Sequence, residues 1–295
     1  MTTTPLFLRN TWYYALPGEQ LKPGQLLSKI LLNEPIVFSR DLSGTVFAKQ
    51  GETRSYPTCE VQGNIWIYMS NDDTSPPSGS VPQVPGFGNQ SYQAVQTIRF
   101  PCDINHAVVG LIDPAHIAFV HQAWWWRSPK TLNEVVKTFE PSLYGFTMKR
   151  HPLEQQTFFY RLIGRNPHIE ISFQLPGVRI EQVSTEKHMV CNLTAITPIS
   201  ETETEETTIF YTTLPWFPVL KPLLLWFTRS FLNQDREILI KQQMGLKHNP
   251  PLTLVGDADA QSRWYYRLKA EFARSQMQGR PFVNPIQEQT LRWRS

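Results

Sequence analysis

An α+β fold follows from three features of the sequence. Residues 6–70 break into short β-type runs with turn residues between them, residues 130–213 repeat that pattern on a longer scale, and the last third carries two helical periodicities. The expected architecture is a small antiparallel β unit, then a curved antiparallel sheet wrapped against a long C-terminal helix. The boundaries read as 1–75 for the first unit, 76–94 for a linker or loop, and 95–295 for the second unit.

The elements follow in order. Ile30-Leu31-Leu32, Ile36-Val37-Phe38, Val46-Phe47-Ala48 and Ile65-Trp66-Ile67-Tyr68 are strands, with turn chemistry at Asn33-Glu34-Pro35 and Asp41-Leu42-Ser43-Gly44. The polar, Pro-rich stretch 71–89 is a linker or exposed loop. Residues 95–122 start as a strand and turn helical, with Asp113 as N-cap and Pro114 at the first helical position. Strands then recur at 157–162, 169–173 and 188–194, and the acidic tract Glu201–Glu206 reads as a solvated hairpin loop. A long helix near 219–246, a break at Pro250-Pro251, a helix at about 259–277 and an irregular tail complete the chain.

Composition narrows the function classes. Among the 295 residues, 41% are hydrophobic and 18% charged, as in an ordinary globular protein. A net charge of +3 without a basic block argues against nucleic acid. Cys59, Cys102 and Cys191 are too few and too scattered for a disulfide framework or a structural zinc site, which suggests a reducing, cytoplasmic setting. The N-terminal stretch shows no secretory pattern. The apolar run 214–232 is interrupted by Pro215, Pro218, Lys221, Pro222 and Arg229, so it does not read as a membrane span. Its core, 222–227, reads as a buried helix start, with contact to a membrane surface or a partner as the other reading. Neither a Gly-x-Ser-x-Gly turn nor a Gly-rich phosphate loop is present.

The residues that could carry chemistry are Asp113, His116, His121 and Asp235. Two imidazoles and one carboxylate are the ligand set of non-haem Fe(II) oxygenases, which leaves positions open for oxygen and substrate. A spacing of five turns the two rings about 140° apart on a regular helix, so the helix must unwind or end near His121. Asp235 lies on a face with Phe231, Ile238, Leu239 and Gln242 and should be buried. Each has a plain alternative: one packed and one surface histidine, an Asp235 satisfied by an arginine or backbone donors, and an Asp113 that only caps a helix.

The combination resembles the Rieske-type non-haem iron oxygenases, in their monooxygenase and demethylase branch. The resemblance runs through Asn10–Leu16, Leu31–Asp41, Gly44–Ala48, Ser55–Tyr68, Asp113-Pro114-Ala115-His116 to His121, and Asn233-Gln234-Asp235 to Gln242. It implies a Rieske-like β domain followed by a helix-grip (START-like) catalytic domain. It implies Fe(II) held by His116, His121 and Asp235, and Asp113 as the bridge from an iron-ligating histidine to a neighbouring subunit's cluster. The family's Cys-x-His and Cys-x-x-His cluster ligands are missing, since Met1 to Pro101 contains one cysteine and no histidine. No [2Fe–2S] cluster is therefore expected in this chain. A second departure is Gly110, where the family often has an asparagine near the metal.

The function expected is an oxygenase component that hydroxylates or oxidatively demethylates a small apolar or aromatic substrate with O2. Its electrons would come from a separate Rieske protein or reductase docked near Asp113. Phe231 and Ile238 are expected near the iron and Trp124 at the pocket mouth. Assembly as a homo- or hetero-oligomer is expected, a trimer being usual in the family. The alternatives are an inactive scaffold or regulatory subunit of a Rieske oxygenase complex, and a metal-free helix-grip protein that binds an apolar ligand.

Overall fold

The computed structural model describes residues 4–72, 76–121, 133–153 and 163–294. The expected strand at 157–162 and Trp124 lie outside them. The first unit contains two antiparallel sheets. One has β1 (Thr11–Pro17), β7 (Asn64–Met69) and β6 (Thr58–Val61) in the order β1-β7-β6. The other runs β2 (Leu26–Leu31), β3 (Glu34–Arg40), β4 (Val46–Gln50) and β5 (Arg54–Tyr56). The β2–β3 turn falls one residue earlier than expected, because Glu34 and Pro35 already pair with Leu31 and Ile30. Leu32 and Asn33 form the turn at φ 52° and 66°, as a two-residue hairpin requires. Their N–H groups donate to the carbonyls of Pro198 and Ile199, each at 2.9 Å, which fastens this hairpin to the second unit.

The second unit is built on an eight-stranded antiparallel sheet. Its strands are β8 (Ala94–Phe100), β9 (Glu134–Ser142), β10 (Gly145–Pro152), β11 (His168–Gln174), β12 (Val178–Ser184), β13 (Met189–Pro198), β14 (Thr204–Thr212) and β15 (Gln289–Arg294). The order is β15-β9-β10-β11-β12-β13-β14-β8. The tail is thus not irregular: β15 pairs with β9, Leu291 opposite Lys137. The acidic tract is a solvated hairpin loop only in its first half. The chain reverses at Ser200–Glu203, and Glu205 and Glu206 lie inside β14, 7% and 6% exposed.

Alternation gives the sheet two different faces. Val178, Leu193, Ile209 and Tyr211 face the first unit and pack with Trp12, Tyr14 and Trp66. Ile169, Val183 and Phe210 point the other way, toward Phe217, Leu224 and Leu225 of helix α3 (Phe217–Leu246). Helix α4 (Ala260–Met277) covers the other half of the sheet, where Trp264, Tyr265 and Phe272 join Phe139, Phe146 and Phe173. The stretch 222–227 is not the buried helix start expected: Leu224, Leu225 and Phe227 are partly buried, and Leu223 and Trp226 are exposed. Among the described residues no helix is long and apolar enough to cross a membrane.

The β9–β10 corner admits no side chain at Gly145, where an added Cβ would sit 1.7 Å from the Phe173 carbonyl oxygen. Gly145→Ala is expected to lower stability by at least about 2 kcal/mol, read as a drop in the urea midpoint.

Candidate metal centre

The site begins at a helix break. Helix α1 (Ile104–Ile112) is capped by Asp103, whose Oδ1 accepts the N–H of Asn105 at 2.8 Å. It stops at Asp113, because a residue before proline is disfavoured in helical conformation; Asp113 sits at φ −70°, ψ 111°. The Asp113 carboxylate then accepts the N–H of Ala115 at 2.8 Å and that of His116. Asp113 is thus the C-cap of α1 and not the N-cap expected: the regular helix α2 (His116–Val120) has Ala115 at its N-cap, without a side-chain cap bond, and starts two residues later than Pro114. It ends at His121, at φ −90°, ψ 71°. The helix therefore does stop where the five-residue spacing requires, and the two imidazole rings lie 5.4 Å apart, edge to face.

Both rings are held through the same nitrogen. His116 Nδ1 lies 2.5 Å from the Asp113 carbonyl oxygen, and His121 Nδ1 lies 3.0 Å from Gln234 Oε1 on α3. Each partner is purely an acceptor, so each Nδ1 carries the proton and each Nε2 keeps a free lone pair. Burial pushes both histidines down to about 4, which keeps them neutral, as metal ligands must be.

Asp235 completes the group from α3. Its Oδ1 lies 3.5 Å from His121 Nε2, and one donor atom from each of His116, His121 and Asp235 falls within 4.8 Å of the others. Among the described residues no arginine and no backbone donor reaches Asp235. It is less buried than expected, with 27% of its side chain exposed, and desolvation still pushes it up to about 7. A carboxylate that resists ionisation, facing two fixed lone pairs, is what a divalent cation resolves. The donor set therefore fits a mononuclear two-histidine, one-carboxylate metal site. Phe231 packs its ring 4.5 Å from that of His121, as expected, whereas Ile238 is 44% exposed and lines nothing near the triad. At Gly110 an added Cβ would meet open space, so the missing asparagine leaves room rather than a misfit.

Two further groups belong to this neighbourhood. Arg179 on β12 helps lower His116, and Glu206 on β14 feels both the Asp235 charge and Arg179. Burial first, and Asp235 second, push Glu206 up to about 8. The acidic tract hid Glu206, yet the run Thr204, Glu206, Thr208, Phe210, Thr212 has the two-residue period of a strand face.

Comparison with known proteins shows the family and the fold. Residues 108–273 match the family model of the vanillate O-demethylase oxygenase C-terminal domain, just over half of the chain and including the whole triad. The chain is 25% identical over 201 residues to chlorophyllide a oxygenase, chloroplastic, from Oryza sativa subsp. japonica, covering 64% of this chain and only 35% of that relative. The chain thus spans about a third of the length of this curated relative. Dicamba monooxygenase bound to dicamba superposes with a TM-score of 0.70 at 14% identity, covering 94% of this chain and 100% of that one. Another structure of that enzyme is described with non-heme iron. An NdmA mutant from Pseudomonas putida CBB5, with caffeine, gives 0.68 at 15% identity and covers 92% of each chain. At such identities these structures bear on the fold, and they agree with the α+β architecture read from the sequence.

Two outcomes follow. Gln234→Leu, which removes the acceptor at His121 Nδ1, is expected to weaken Fe(II) binding about 10- to 100-fold with the fold intact, measured by competition with a chelator. Glu206 holds its proton to about 8 in the folded chain against 4.5 ordinarily, so its contribution to stability is full below pH 4.5 and is lost as pH rises through 8. Relative to Glu206→Gln, the metal-free chain should therefore lose stability steadily between pH 5 and pH 9, measured by urea denaturation across a pH series.

Proposed function

The chain belongs to the vanillate O-demethylase oxygenase C-terminal domain family, and on that premise we propose that it is a mononuclear non-haem iron oxygenase component. The observation that carries this reading is the pair of Nδ1 bonds that leave both Nε2 atoms free opposite Asp235. Ferrous iron, when bound, supplies oxygen-activating chemistry at the positions that two histidines and one carboxylate leave open.

The chain's own residues do the rest. The Asp113 carbonyl and Gln234 hold the two rings in one tautomer. Asp235 offsets the charge of the cation, and Phe231 walls one side of the site with an apolar ring. Placing one atom of O2 into a C–H bond of a small aromatic substrate consumes two electrons and two protons and releases water. The first hundred residues lack the cysteines and histidines for a [2Fe–2S] relay, so we assign the electrons to a separate Rieske protein or reductase. We place its approach at Asp113, one carbonyl away from His116. Residues 1–75 are read as a clusterless Rieske-like unit, 76–94 as the connector and 95–295 as the catalytic unit.

Anaerobic reconstitution with Fe(II), followed by metal analysis and absorption spectroscopy, tests this reading. One iron per chain without [2Fe–2S] absorption is expected, and His116→Ala should abolish both the iron and turnover with an added donor. A chain that stays well below one equivalent, or a His116→Ala variant that still supports turnover by a partner, would overturn it.

A further inference from the structure

Helix α3 turns apolar side chains to solvent. Adjacent residues on a helix are about 100° apart, so Val219, Leu223 and Trp226 fall within about 60° of one another. The buried Phe217, Leu232 and Leu239 lie on the opposite side. The outward three are 80%, 47% and 61% exposed. Trp226 meets its neighbour Phe227 edge to face, 5.0 Å between ring centroids, and the rest of its indole stands in water. A single exposed apolar residue is ordinary, but three on one stripe, a tryptophan among them, mark a surface that another phase covers. The same line runs on through Ser230, Asn233 and Glu237 to Ile240 and Met244, both exposed.

Beside this stripe the charge is of one sign. No acidic residue lies between Phe217 and Gln234. Arg229 and Arg236 flank the stripe on the side of β8, where Arg99 stands. The three guanidinium groups line an open groove of about 430 Å³ together with Gln96, Thr97 and Asn233. Among the described residues neither Arg229 nor Arg236 has a carboxylate partner, and Arg99 has only Glu203 at 3.6 Å, both side chains exposed. A partner's β-strand would find this edge taken, because α3 lies along β8 and Arg236 Nε already donates to the Arg99 carbonyl at 3.2 Å. A second copy laid on the same face would bring its own arginines and Lys241 against these, with one carboxylate, Glu237, per copy to offset them. A lipid surface suits both features. Phosphate oxygens match the planar fork of arginine, and tryptophan and leucine sit well at the headgroup–acyl boundary.

We propose that the outward face of α3 lies on an anionic lipid bilayer, with Val219, Leu223 and Trp226 at the headgroup–acyl boundary and Arg99, Arg229 and Arg236 on lipid phosphates. No helix needs to cross the membrane for this, and none of the described ones is long and apolar enough to do so. The attachment is peripheral, held by apolar burial and charge together. Asp235 lies on the inner side of the same helix, against His121, so an apolar compound dissolved in the bilayer would be about one helix diameter from the candidate metal site. The attachment goes beyond the oxygenase reading and needs no iron, so the two fail separately.

The test is co-sedimentation of the full chain, with and without Fe(II), with vesicles of phosphatidylcholine alone and with vesicles in which about a third of the lipid is phosphatidylglycerol. Binding is expected to the charged vesicles, at least tenfold tighter than to the neutral ones, and should weaken as salt is raised. Arg229→Gln should weaken it about fivefold, and Arg229→Gln with Arg236→Gln about 20-fold. Trp226→Ser should weaken it at least tenfold with an unchanged circular dichroism spectrum. Vesicles with brominated acyl chains give a second readout that does not depend on any loss of binding. They should quench the tryptophan fluorescence of the wild type, and Trp226→Phe, which keeps an apolar ring, should still bind but lose much of that quenching. Equal sedimentation with both kinds of vesicle, no sedimentation with either, binding untouched by the double arginine variant, or quenching undiminished in Trp226→Phe would each overturn the proposal. A concentration-dependent dimer in place of vesicle binding, abolished by Trp226→Ser, would overturn it too and assign the face to a second copy. If iron fails to load while the charged vesicles still bind, the oxygenase reading falls and this one stands.

Discussion

A histidine that binds a metal through one nitrogen almost always donates a hydrogen bond from the other, which fixes its tautomer and the direction of its lone pair. This constraint organises the centre of the molecule. The acceptor for His116 is the carbonyl of Asp113, three residues back, and the acceptor for His121 is a side chain of another helix. The first is local and comes with the break at Asp113-Pro114. The second is long-range and exists only when α3 is docked in register. The orientation of the His121 ring is therefore tied to tertiary packing and not to the α2 segment alone.

The same docking explains why α3 tolerates so little burial of its own. Of its thirty residues only Phe217, Leu232 and Leu239 are buried, yet Gln234 and Asp235 sit at consecutive positions, one bonded to His121 Nδ1 and the other completing the candidate triad. Adjacent residues on a helix diverge by about 100°, so both reach the site only because His121 has left the helical path of α2 and lies against α3. The end of one helix and the face of another are complementary parts of one device.

Local chemistry marked what was legible in the sequence. The Asp-Pro break, the need for a helix stop at His121 and the anomaly of Asp235 on a helical face are signatures of a few residues, and the structure brings all three ligands together. Non-local pairing hid the rest. Nothing near 289–294 announces a strand, because that segment is ordered by β9, about 150 positions earlier in the chain. Glu201–Glu206 looks solvated by composition, and only its partner strands show that half of it is interior. Ile238 seemed to belong to the apolar stripe, yet the helix turns it to solvent.

Glu205 and Glu206 are neighbours on one strand and so look in opposite directions. Glu205 bonds Lys29 of the first unit at 2.5 Å, and Lys29 also bonds the Ala15 carbonyl. Thr197, on the adjoining strand, donates to the Tyr14 carbonyl at 2.9 Å. The small N-terminal unit is thus a rear buttress for the strand that presents Glu206 to the metal side. Cutting that unit away would take these bonds from behind the strand and slacken the wall that the candidate triad faces.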